Sequence, residues 1–253
     1  MDAPTISLRA VTKRFTPGGP EAVSDLSLDL HPGVVVGILG ENGAGKSTTL
    51  NMIATLLRPS RGTIRLMGHE VTEDPLEVRR RIGILFGSQG GLYGRLTGRE
   101  NIEYFGALQG MKRREARARA GELVSLLGME EYADRRVSTY STGMKQRTSL
   151  GRCIVHDPPV LLLDEPTAGL DLSAASVVHR FVRRWAGEGK TVLFSSHHMD
   201  EILSLCDRAV VLHRGSLALD RRLSRDDPGA LDSFRLDFTR LVEDSEAPRE
   251  ARR

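Results

Sequence analysis

The chain has 253 residues, 40% hydrophobic and 27% charged, with a formal net charge of +3, the composition of an ordinary globular protein with one sizeable core or a core plus a subdomain. Two cysteines, Cys153 and Cys206, exclude a disulfide framework and fit a reducing compartment. No apolar run approaches the ~20 residues that cross a bilayer, and Met1-Asp2-Ala3-Pro4 does not open a secretory leader, so any service at a membrane needs another chain to do the spanning.

In chain order, the first clear element is Val34 to Leu39, a short β-branched run that leads straight into Gly40 and Gly43. It reads as a buried parallel strand feeding a glycine-rich turn. Ser47 to Leu57 follows with helical spacing at Leu50, Ile53, Ala54 and Leu57, and stops at Pro59. From about Gly98 to Leu150 the pattern is helical, with Ile102, Phe105 and Leu108 on one face and Leu123, Leu126 and Leu127 on another. Within it, Lys112 to Arg119 sets five basic residues against Glu115, either a solvated helix face or a contact for lipid headgroups or nucleic acid. Val160 to Leu163, Thr191 to Phe194 and Ala209 to Leu212 are further short apolar strands. Strands alternating with helices predict an α/β core with a mostly parallel sheet over residues 1–88 and 151–220, interrupted by a helical subdomain at 89–150. Residues 221–253 read as a charged C-terminal tail. There Phe234, Leu236 and Phe238 alternate like a short strand, and Glu243 to Arg253 frays.

Gly40-Glu41-Asn42-Gly43-Ala44-Gly45-Lys46-Ser47, followed by Thr48, fits the P-loop pattern and lies between an apolar strand and a helix, as its chemistry requires. Glycines let backbone N–H groups close around phosphates, and the helix starting near Lys46 adds its positive end. Lys46 is expected on the β- and γ-phosphates and the Ser47 hydroxyl on Mg²⁺. Val160-Leu161-Leu162-Leu163-Asp164-Glu165 then delivers two adjacent carboxylates at the C-terminal end of a buried strand, where α/β sheets bind ligands. Asp164 is expected to support Mg²⁺, directly or through an intervening ligand, and Glu165 to polarise the attacking water.

Three further segments carry a family resemblance. Tyr140-Ser141-Thr142-Gly143-Met144-Lys145-Gln146-Arg147, whose Ser141 lies 23 residues before Asp164, resembles the signature motif of ABC ATPases in an exporter variant, with Thr142 and Met144 at usual glycine and glutamine places. Ala168-Gly169-Leu170-Asp171 is similar to that family's D-loop, and Ser195-Ser196-His197-His198-Met199-Asp200-Glu201 to its switch-histidine segment. The resemblance spans roughly residues 5–220. It implies a P-loop NTPase core with a mostly parallel sheet, an antiparallel β edge and an inserted helical subdomain. Ser141 and Gly143 would meet the γ-phosphate held by an opposite subunit; Ser141 or Thr142 as a plain helix cap is compatible with that. Asp171 would couple the two sites, His197 would contact the γ-phosphate, and Phe15 would stack on adenine unless it is a core residue. Gln89 would supply the metal- and water-contacting glutamine, although its loop is one residue longer than usual and Gly87 or Ser88 takes the aligned place.

Ser141 to Arg147, Ile154 to Pro159 and Leu205 to Arg208 further resemble the sodium-exporter and drug-exporter branch. That likeness implies an ATP-binding and ATP-hydrolysing subunit that energises a membrane exporter, with ATP and Mg²⁺ as cofactors. Its partners would be a second ATPase subunit, expected to be another copy, and a separate transmembrane permease, with no nucleic acid. The subunit would sit on the cytoplasmic face of the membrane, its permease docked around Gln89 to Arg99, including Leu92, Tyr93 and Leu96. The alternative is a soluble ABC ATPase acting on nucleic acid or ribosomes, against which stand the single P-loop and the lack of a coiled coil.

Overall fold

Two kinds of apolar pattern divide the strands. Runs buried on both faces enter one sheet, and runs with alternating burial enter another. The computed structural model describes residues 3–87, 91–224 and 227–246. The alternating strands β1 (Ile6–Arg14), β2 (Glu21–Leu30) and β4 (Arg61–Leu66), with the short β5 (His69–Glu70), form an antiparallel four-stranded sheet of order β2-β1-β4-β5. The continuous runs β3 (Val35–Leu39), β6 (Ile82–Phe86), β7 (Val160–Asp164), β8 (Thr191–Ser196) and β9 (Arg208–His213) join β10 (Ser216–Arg222) in a second sheet, of order β10-β9-β3-β8-β7-β6. It is parallel from β9 to β6, and β10 is the antiparallel edge.

The faces of β3 separate two cores. Val36 and Ile38 look toward the antiparallel sheet and pack with Ile6, Leu8, Leu162 and Leu193. Val35 and Leu39 look the other way, into the core that holds Leu161, Phe194, Phe181 and Trp185. All of these are sealed from water, and burying such side chains contributes about 1.5–3 kcal/mol each before the entropy of ordering them.

Helices α1 (Lys46–Ile53), α2 (Pro75–Arg80), α6 (Leu172–Gly187) and α7 (Met199–Leu205) follow or precede these strands. The helical stretch comprises α3 (Gly98–Leu108), α4 (Arg113–Leu126) and α5 (Thr142–Ile154). A reciprocal capping box of Thr97 and Glu100 starts α3. Small residues let these helices approach, since a Cβ on Gly106 would lie 3.0 Å from that of Ala116.

Three expectations change. Leu108 is 60% exposed because α3 ends there, so only Ile102 and Phe105 of its expected face pack inward. α1 stops at Ile53, short of Leu57. The expected strand around Phe234 to Phe238 is a helix, α8 (Pro228–Glu246). Phe234 is buried and Phe238, one turn on, packs beside it, whereas Leu236 between them is 59% exposed. Gln89 and Ser88 lie outside the described residues.

Candidate nucleotide site

The site is built at the C-terminal ends of β3, β7 and β8. After β3 the chain must turn at once, and close neighbours dictate glycine twice. A Cβ on Gly40 would lie 2.4 Å from the Leu212 carbonyl oxygen, and one on Gly45, whose φ is +103°, would lie 2.6 Å from that of Ala22. α1 begins immediately after Gly45, so its free N–H groups and positive end open onto the loop. Glu41, Asn42, Gly43, Gly45, Lys46, Ser47 and Thr48 line a pocket of about 170 Å³ together with Glu165. Gly40 and Ala44 are buried beneath it.

Lys46 is 6% exposed, and its Nζ donates to the carbonyl oxygens of Gly40 (2.6 Å) and Glu41 (3.3 Å). Glu165 Oε1 stands 3.7 Å from the same Nζ, and Glu165 Oε2 lies 2.8 Å from His197 Nδ1. A buried cation, a carboxylate and an imidazole thus form one chain, of which the first two line the pocket. Glu165 takes φ +48°, a left-handed conformation that costs a residue with a Cβ about 1–3 kcal/mol. Ser195 holds it there: the Glu165 N–H donates to Ser195 Oγ (3.0 Å), and that hydroxyl donates to Asp164 Oδ1.

Beneath the pocket a second carboxylate gathers three segments. Glu201, on α7, accepts from Thr167 Oγ1 (2.6 Å) and Ser196 Oγ (2.7 Å), and His179 Nε2 lies 2.7 Å from it. Burial alone would raise its pKa, but the hydrogen bonds from His179, Thr167 and Ser196 outweigh that and hold it below the ordinary carboxylate value. Thr167 is two residues after Glu165, and Ser196 is one before His197. Ser196 Oγ also accepts the His198 N–H at 3.0 Å. Another link runs from α5, where the buried Gln146 Nε2 donates to the Pro166 carbonyl.

Ser141 and Asp171 are helix caps. The Ser141 hydroxyl accepts from Met144 N (3.3 Å) at the start of α5, and the Asp171 carboxylate from Ala174 N (2.8 Å) at the start of α6. The two helix starts adjoin, since a Cβ on Gly143 would lie 3.4 Å from that of Ala174. Neither Ser141, Gly143 nor Asp171 lines the pocket around Lys46. Phe15 does not either: it is 61% exposed and borders a separate 400 Å³ hollow with Thr12, Arg14, Thr16, Pro17, Glu21, Ser60 and Arg61.

Sequence reasoning placed Lys46, Asp164, Glu165 and His197, and the fold brings Lys46, Glu165 and His197 into direct contact, with Asp164 beside Glu165. It did not single out Ser195, Glu201, His179, Thr167 or Gln146. A signal was available for the first, because two hydroxyl residues follow the apolar run Val192 to Phe194 at the end of the strand, and Ser195 pairs in register with Asp164. His179 lies on another helix, and nothing local marks it.

Residues 23–168 match the protein family described as ABC transporter. The chain is 48% identical over 197 residues to the ABC transporter ATP-binding protein NatA of Bacillus subtilis, covering 78% of this chain and 80% of that protein. It is 46% identical over 197 residues to the daunorubicin/doxorubicin resistance ATP-binding protein DrrA of Streptomyces peucetius, where it spans 78% of this chain and 59% of the relative. It is 39% identical over 231 residues to the Nod factor export ATP-binding protein I of Burkholderia lata, covering 91% and 73%. Among solved structures, a dimeric post-hydrolysis state of an ATP-binding cassette bound to ADP and Pi superposes with a TM-score of 0.78 at 28% identity, over 87% of this chain and 99% of that one.

Proposed function

Because the chain belongs to the ABC transporter family, we infer that it is an ATP-binding and ATP-hydrolysing subunit that energises a membrane exporter. The observation that carries this reading is the contact chain Lys46–Glu165–His197 at the rim of the glycine-rich pocket. In the proposed cycle the β- and γ-phosphates enter that pocket and compete with Glu165 for Lys46. Released from the ammonium, Glu165 accepts a proton from the water that attacks the γ-phosphate. His197, fixed beside it, donates to a γ-phosphate oxygen and orients the carboxylate. Backbone N–H groups of the loop and the start of α1 face the charge that develops on the phosphates, the main source of rate in phosphoryl transfer.

Mg²⁺ fits the residues present. The Ser47 hydroxyl, which lines the pocket, and the Asp164 carboxylate, next to Glu165, are hard oxygen donors. That is the donor set of an ion held mainly by phosphate oxygens and water, whose charge would neutralise the phosphates.

The capped start of α5 at Ser141 and Gly143 lies outside the Lys46 pocket, which supports a site completed by the α5 start of a second copy. Asp171, at the adjoining start of α6, would carry the state of one site to the other. Phe15, exposed on its loop, is proposed to stack on adenine. ATP then joins two subunits, and hydrolysis separates them.

The transmembrane work falls to a permease, since no helix among the described residues is long and apolar enough to cross a membrane. Its proposed dock is the segment before α3, where Tyr93 is exposed and buried Asn101 clamps the backbone through Tyr93 N (2.8 Å) and Tyr93 O (3.1 Å). The proposed location is the cytoplasmic face of the membrane, reached through the permease. Export is favoured over action on nucleic acid because relatives are named for resistance and for Nod factor export. Capture of the tagged chain from its native membranes tests the reading. A polytopic membrane protein in fixed ratio is expected; ribosomal or DNA-bound partners without one would contradict it.

A further inference from the structure

Some cations on this chain are paired, as Arg9 is with Asp29 and Arg208 with Asp220, and others, such as Arg61, Arg95 and Arg136, have no carboxylate within 4.0 Å among the described residues. The first turns of α4 gather four of the latter kind. Lys112, Arg113, Arg114 and Arg117 are all exposed, and none has a carboxylate within 4.0 Å among the described residues. Arg113, Arg117 and Arg114 fall within ~100° of helical arc, so they share one face. The acids of the same helix are committed elsewhere, Glu115 to the Lys112 N–H (3.2 Å) and Glu122 to Arg119 (2.8 Å). Cations here also oppose the positive end of the helix dipole, where acids would be favoured. Helix stability therefore does not account for this cluster.

Its surroundings add apolar surface. α3 and α4 form an antiparallel hairpin, and the last turn of α3 exposes Tyr104 (41%) and Leu108 (60%), four residues apart. The two helix ends at this hairpin thus expose an aromatic ring, an aliphatic side chain and four cations with no carboxylate partner among the described residues. This is the residue set of a bilayer interface, with tyrosine at headgroup depth and arginine on anionic headgroups. Tyr104 also packs edge-on against Tyr93 (ring centroids 5.0 Å), so the corner is continuous with the proposed permease dock.

We propose that the α3–α4 corner docks on the anionic surface of the membrane beside the permease, through Lys112, Arg113, Arg114 and Arg117 with Tyr104 and Leu108. The proposal rests on the transporter reading only for bringing the chain to a membrane.

The test uses the purified full chain, without permease or nucleotide, and vesicles of phosphatidylcholine with or without phosphatidylglycerol. Flotation should show binding to the anionic vesicles alone, weakening as salt rises. Combined Arg113→Glu, Arg114→Glu and Arg117→Glu should weaken it at least about tenfold, given the contribution of each cation near a charged surface. The same changes suit the helix dipole, so the variant should melt no lower than the parent and hydrolyse ATP at the parent rate. Equal binding to neutral vesicles, or anionic binding that survives the charge reversal, would overturn the proposal. So would duplex DNA bound through these residues more tightly than the vesicles. None of these outcomes depends on whether a permease co-purifies, so the two readings fail separately.

Discussion

Glu165 answers to three neighbours at once: the Lys46 ammonium, the His197 imidazole and the Ser195 hydroxyl beneath its own N–H. Its carboxylate reaches the first two and its backbone N–H the third, with the side chain still lining the pocket. Replacing it with glutamine keeps the shape and removes the proton acceptor. Glu165→Gln should bind ATP as the parent does and hydrolyse it about 10²–10⁴-fold more slowly; phosphate release at the parent rate would remove Glu165 from its role. Glu201 acts one layer down, on position alone. Its depressed pKa contributes stability that is fully present above the ordinary value of 4.5 and is lost as pH falls through the lower folded value. Glu201→Gln should therefore cost about 1–3 kcal/mol in urea denaturation at pH 7, with the difference from the parent shrinking steadily below pH ~4.5. Lys46, Asp164, Glu165 and His197 were legible in the sequence because each sits in a contiguous pattern beside its own strand. Ser195, Glu201 and His179 act on residues about 20 to 35 positions away, and contacts of that kind appear only when the strands are laid in register.

Among the elements, the strands that feed the site read clearly, since β3, β7 and β8 are buried on both faces and stay apolar along most of their length. The tail misled for a definable reason. Phe234, Leu236 and Phe238 satisfy a period of two, but Leu231, Phe234, Phe238 and Leu241 satisfy the helical period, and these four pack on the core while Leu236 faces water. α8 is thereby fastened to the switch region, through Phe234 in the core and Arg235 to Asp200 of α7 (2.7 Å). Phe234→Ala should destabilise the chain by about 3–5 kcal/mol in urea unfolding. A cost below 1 kcal/mol would mean that α8 lies on the core without being part of it. The four-stranded antiparallel sheet was not legible in the chain itself; only an antiparallel edge was implied by the family resemblance. Its longest strands, β1 and β2, are half-buried, and their polar faces interrupt the apolar runs that marked the others.

At the scale of the whole molecule, the groups proposed to meet phosphate lie in two places. Lys46 and the glycine loop form one, and the capped start of α5 at Ser141 and Gly143, adjoining the start of α6, forms the other, outside the first pocket. On the proposed reading a chain with two such half-sites would complete no cycle alone, and a second copy turned about a two-fold axis would supply each missing half. Ser141→Arg would place a long cation where the γ-phosphate of the opposing copy must approach, and would leave the Lys46 pocket of its own chain unaltered. The most direct measurement is sedimentation velocity of the Glu165→Gln chain with and without ATP, beside the same chain also carrying Ser141→Arg. A dimer that forms only with ATP, and is lost in the double variant although it still binds nucleotide, is the predicted result. A Glu165→Gln chain that stays monomeric at saturating ATP, or a double variant that dimerises equally well, would contradict the shared site.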